Sequence, residues 1–117
     1  MTTRVATYSE SRRAWREATT AGNAASAARD CAHAARLVAE EQESGATRWI
    51  EMANSSEPRI GTDEFCLEQG RLCNGTASNA RRHAAAYTRW ADEVSRRFKP
   101  DDSGEKARRE VEWKLED

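Results

Sequence analysis

Between Ala77 and Phe98 the apolar residues fall at Ala77, Ala80, Ala84, Tyr87, Ala91, Val94 and Phe98, in alternating steps of three and four. That is an unbroken heptad seam, and a helix packed lengthwise on another helix is the arrangement that uses one. The same phase occurs fifty-three residues earlier, at Ala24, Ala27, Cys31, Ala34 and Val38. Each seam follows a glycine by two residues, Gly22 in the first case and Gly75 in the second. The pattern predicts two related helical hairpins, each turning at its glycine into a long second helix lined with alanine. No segment sustains period-two alternation, so no strand is expected.

The rest of the chain fits around these seams. Thr7-Tyr8-Ser9-Glu10 matches a capping box, which starts a first helix carrying Tyr8, Trp15 and Ala18. Gly22 suits its C-terminal cap, and Asn23 can cap the next helix. Ser44-Gly45 is read as an interruption, with Ala46 to Ala53 a short helix of its own. Pro58 lies in a polar cluster that reads as linker, after which Thr62 caps a helix with Phe65 and Leu72 on one face. Asn74-Gly75 is read as a turn capped by Thr76, and Lys99-Pro100 stops the long helix. Asp102-Ser103-Gly104-Glu105 offers a second capping box for a last helix, with Ala107, Val111 and Leu115 every four residues. The expected fold is therefore all-α: a helical bundle of two hairpins plus a C-terminal helix, five or six helices in all. As a single domain over 1–117 it divides into hairpin 1 at about 7–54, a linker at 55–61, hairpin 2 at about 62–98 and a C-terminal helix at about 102–116.

The hairpin pattern resembles part of a tetratricopeptide repeat, in which a turn glycine is followed by small residues at fixed steps along the second helix. Gly22, Ala27, Cys31 and Ala34 keep those steps, as do Gly75, Ala80, Ala84 and Tyr87. The aromatic, leucine and glycine signature of that family's first helix is absent, and two copies spaced by fifty-three residues depart from its period of about thirty-four. The resemblance implies helical-hairpin packing and nothing about activity.

Composition limits what such a bundle can bury. Leu, Ile, Val and Phe together number twelve in 117 residues, against twenty-one Ala. In a strongly charged chain so few large apolar residues would mean disorder, but the net charge is only −1 and Ala, Arg and Glu favour helix. Alanine supplies little buried area, so four Trp, two Tyr and two Phe must provide the bulk. A core this thin makes a homodimer, or a fold completed by a partner, the expected form. Sixteen Arg against three Lys, beside so much Ala, has the flavour of a GC-rich bacterial or phage gene. Three cysteines are an odd number, no apolar run is long enough to span a bilayer, and the first ten residues lack an apolar signal core. A reducing, cytoplasmic setting is expected, with no membrane partner.

The search for chemistry returns little. Cys31 and His33 point to different helix faces, and Cys66 and Cys73 lie about 10 Å apart along a helix axis, too far to share an ion. A break at Gly70 would be needed to bring that pair together. There is no Gly-x-Ser-x-Gly elbow, no phosphate-cradling glycine loop and no His-Glu-x-x-His. No catalytic residue, metal ligand or cofactor is assigned, and the chain is not expected to be an enzyme. The partner-binding candidates are Arg48, Trp49, Ile50 and Met52 beside the linker, Arg82, Arg89 and Arg96 opposite the second seam, and Trp113 off the last helix's weak stripe. Trp and Arg are the residues most enriched at interface hot spots. The expected function is non-catalytic protein–protein interaction, as an adaptor or an inhibitor that blocks a macromolecular partner; a phage counter-defence protein such as an anti-CRISPR inhibitor is one concrete form. The alternative is a nucleic-acid-binding or nucleic-acid-mimicking helical protein that uses arginine stripes on the two long helices, Arg29 and Arg36 on the first and Arg82, Arg89 and Arg96 on the second.

Overall fold

The computed structural model describes residues 7–55 and 61–116, and within these the side chains of 113–116 are left aside. The linker around Pro58 lies outside the described residues. Four helices follow one another: α1 (Tyr8–Glu17), α2 (Ala21–Ala53), α3 (Asp63–Arg97) and α4 (Gly104–Glu116). Among the described residues there is no strand, only an isolated antiparallel bridge between Thr20 and Ser103. The chain is all-α as expected, but with four helices in place of five or six.

The difference comes from two glycines. Gly45 lies inside α2 and Gly75 inside α3, each with the helix continuous on both sides. The neighbouring threonines that could have capped new helices bond back one turn: the Thr47 hydroxyl donates to the Glu43 carbonyl and the Thr76 hydroxyl to Leu72, each at 3.1 Å. Gly70 likewise sits within α3 and breaks nothing. Gly22 is also inside a helix, in the first turn of α2, where its N–H donates to the Pro100 carbonyl at 2.9 Å. The chain turns earlier than Gly22, at Ala18, whose extended backbone ends α1. Neither seam glycine is therefore the turn of a hairpin, and the tetratricopeptide-like steps describe helix interiors.

Local caps account for the starts. The Glu10 N–H donates to Thr7 Oγ1 at 3.1 Å, and the Phe65 N–H to Thr62 Oγ1 at 3.1 Å, both as expected. At α2 the cap is Thr20, which accepts from the Asn23 N–H at 3.2 Å, and Asn23 itself is in the helix. At α4 it is Ser103, accepting from Lys106, while the Asp102 carboxylate accepts from Lys99 instead.

The chain forms two compact units, and α2 and α3 contribute to both. The first combines residues up to Ala35 with those from His83 onward. Its core is Trp15 and Ala18 of the first segment, Ala21, Ala24, Ala25, Ala27, Ala28, Cys31 and Ala32 of α2, Tyr87, Ala91 and Val94 of α3, and Ala107 and Val111 of α4. The α2 stripe is wider than a heptad seam because α2 is buried on more than one side. Trp15 carries most of the bulk. Its ring stacks on Trp90 at 5.8 Å, meets the edge of Tyr87, and its Nε1 donates to Glu112 of α4 at 2.6 Å. The connections are tied by backbone bonds from Ala21 to Asp102 and from Gly104 to Thr19, and by Arg108 donating to the Ala18 carbonyl at 2.6 Å.

The second unit, Arg36–Arg82, is an antiparallel helical hairpin. Trp49 meets Phe65, Ile50 meets Gly70, Gly45 faces Cys73, and Glu43 pairs with Arg81, so partners recede along the two helices in step. Its buried seam is small throughout: Ala39, Ala46, Ala53, Cys66, Gly70 and Ala77. Gly70 sets the approach, since a Cβ there would stand 3.1 Å from Ile50 Cγ1.

Candidate interaction surface

The large apolar side chains exposed among the described residues are Leu37, Ile50, Phe65, Leu67 and Leu72, and every one belongs to the Arg36–Arg82 hairpin. Helical spacing puts Phe65 and Leu72 on one stripe of α3, which an uncharged stripe of α2 adjoins. On α2, positions 38, 42, 45, 49 and 52 form one stripe, occupied by Val38, Gln42, Gly45, Trp49 and Met52. On α3, positions 65, 69, 72 and 76 form another, occupied by Phe65, Gln69, Leu72 and Thr76. The edge-to-face contact of Trp49 with Phe65, 5.8 Å between centroids, puts both stripes on the same side of the hairpin. Neither stripe contains a charged residue, in a chain that is 33% Asp, Glu, Lys and Arg. Phe65 is 43% and Leu72 54% exposed, and the α2 members are half-buried.

The opposite side carries Ile50 against Gly70, with Leu67 exposed one turn away. Beside it Arg81 grips Glu43 through two hydrogen bonds, Nε to Oε2 at 2.8 Å and Nη2 to Oε1 at 2.6 Å. Those bonds hold the Glu43 carboxyl below its ordinary range. The ion pair is exposed and contributes little to stability.

Trp49, Ile50 and Met52 thus fall on this hairpin, Ile50 on the side away from Trp49, and Arg48 is exposed near them. Arg82, on α3 of the same unit, is exposed and donates to Asn79 Oδ1 at 3.3 Å. Arg89 and Arg96 belong to the other unit, both exposed, with Arg96 paired to Glu93 one turn back. The Trp113 side chain lies outside the described residues. Phe65 and Leu72 were not among the partner-binding candidates, although their seven-residue spacing on one helix face was the signal that marks them.

Unit one holds a polar cluster around Tyr8. The Tyr8 hydroxyl lies 2.9 Å from His83 Nδ1, and the Arg12 guanidinium sits over the Tyr8 ring at 5.6 Å. Burial pushes the Tyr8 phenol up to about 12 and the Cys31 thiol up to about 11. Burial raises Tyr87 as well. Each group is held in its neutral form at neutral pH, the opposite of what an activated nucleophile requires. Among the described residues no group of three or more His, Cys, Asp or Glu is placed to hold a metal ion. No described helix is long and apolar enough to cross a membrane. Comparison with protein-family models, curated proteins and solved structures gives no significant match.

Proposed function

We propose that this chain is a non-catalytic protein-binding protein, an adaptor or inhibitor, and that the Arg36–Arg82 hairpin is its contact element. The supporting observation is the placement of its exposed large apolar side chains, all on that hairpin among the described residues. Water contact on such side chains costs roughly 25 cal/mol per Å², and covering them is the gain that association draws on. Trp49 and Phe65 are rigid aromatic anchors set against each other, the type of residue that dominates interface energetics. The arginine alternative draws less support, because Glu93 accompanies Arg96. A phosphate would have to displace that carboxylate.

The test is affinity capture at raised salt with tagged chain, scoring any protein partner, of its own sequence or another. Retention that resists salt and is lost in both Trp49→Ala and Leu72→Glu is expected. Retention unchanged by either variant, or a steep salt-dependent affinity for nucleic acid in its place, overturns the assignment.

A further inference from the structure

The uncharged face of the hairpin needs an occupant, and we infer that it is a second copy of the same face, so that two hairpins close into a four-helix bundle. This deepens the protein-binding reading of the hairpin and rests on it. Three features point to self-pairing. The face is Val38, Gln42, Gly45, Trp49 and Met52 beside Phe65, Gln69, Leu72 and Thr76, with no charge in either stripe. A two-fold interface sets like against like, so a face without charges meets its own copy with no repulsion to overcome. The edges bordering it carry both signs, Glu41 and Arg48 on α2 and Glu68 on α3, which a rotated copy can match.

The second feature is area. Each hairpin arm of some eighteen residues is about 27 Å long at 1.5 Å per residue, and two helices side by side are about 18 Å wide. That gives ~500 Å² per copy and ~1,000 Å² for the pair, the lower bound for a specific interface. The third is the hairpin's own core. Its seam is alanine, glycine and cysteine, while Phe65 and Leu72, its large α3 side chains on this side, stay outside. Two helices have nowhere else to put them, whereas a four-helix arrangement takes both stripes into one interior. In that dimer Ile50 and Leu67, on other sides of the hairpin, remain outward and duplicated.

Sedimentation equilibrium over a range of concentrations tests this on the full chain, with circular dichroism as the control for folding. Wild type is expected to self-associate. Leu72→Glu, at an exposed helical position that glutamate suits, is expected to remain fully helical and to weaken association about a hundredfold or more. Leu67→Glu, on a different side of α3, is expected to leave it unchanged. A dimer that survives both Leu72→Glu and Phe65→Glu overturns the assignment of the face. A wild-type chain that stays monomeric overturns self-pairing, and two further readouts then separate the causes. If Leu72→Glu also lowers the melting temperature, a segment of the same chain covers the face. If it abolishes salt-resistant capture of a different protein, the protein-binding reading stands with another occupant; if neither changes, that reading falls too.

Discussion

Gly104 opens α4 where the chain is most crowded. A Cβ at that position would overlap the Ala18 carbonyl oxygen and come within 2.9 Å of the Thr20 carbonyl, both backbone atoms that cannot swing aside. Helix propensity alone would make Gly104→Ala stabilising. The packing argues the reverse, and urea unfolding of the variant is expected to show a loss of about 1–3 kcal/mol. At Cys31 the pertinent variable is pH. Its thiol is raised from 9.0 to about 11 by burial, so between those values the folded chain holds a proton that the unfolded chain releases. Stability from this group is complete below pH 9 and is lost as pH rises toward about 11. The melting temperature is expected to fall across that window, less steeply in Cys31→Ala. An equal slope in the variant would mean that the loss comes from elsewhere, Tyr8 and Tyr87 being raised by burial as well.

On the scale of the helices, the informative residue is Gly75. Nothing lies within 4 Å of where its Cβ would be, and α3 passes through it unbroken. Gly75→Ala is therefore expected to stabilise the chain by about 0.5–1 kcal/mol, from reduced backbone entropy in the unfolded state. Thermal melting checks it, and destabilisation would mean that the chain does turn there. This position also shows where sequence reading stops. Asn74-Gly75-Thr76 has the local chemistry of a turn and a cap, and Thr7 and Thr62, with similar chemistry, do cap helices. What differs is the surroundings: Thr76 sits between two stretches that share one buried stripe, Cys66 to Ala77 and onward, and the hydroxyl settles for the Leu72 carbonyl. Most of both seams was legible, because Ala24, Ala27, Cys31 and Ala34, and Ala77, Ala84, Tyr87, Ala91 and Val94, are buried, while Val38, Ala80 and Phe98 are only half-buried. Trp49 is marked by its residue type and its place beside the linker. Its contact with Phe65 could not be read, since only the antiparallel pairing of α2 with α3 brings the two together.

For the molecule as a whole, the two units differ in what holds them. The first has Trp15, Tyr87, Val94 and Val111 buried, with aromatic rings interlocked and backbone bonds tying its connections. The second has only small residues in its seam. Hydrogen exchange measured at a dilution that disfavours association is expected to show protection concentrated around Ala24–Ala32 and Tyr87–Val94, with amides of Ala39–Ala53 and Cys66–Ala77 opening at lower free energy. Uniform protection across both would mean that the hairpin is stabilised by something beyond its own seam.

The backbone bonds from Ala21 to Asp102 and from Gly22 to Pro100 have a consequence for how this chain comes off the ribosome. The hairpin at Arg36–Arg82 is contiguous and can form as soon as its second arm has emerged. The aromatic-centred unit draws on segments separated by that whole hairpin, so α1 and the start of α2 must wait, unsheltered, until α4 has been synthesised. The thinly packed part of the protein is thus the one whose contacts can all form first, and the better-packed part is the one completed last.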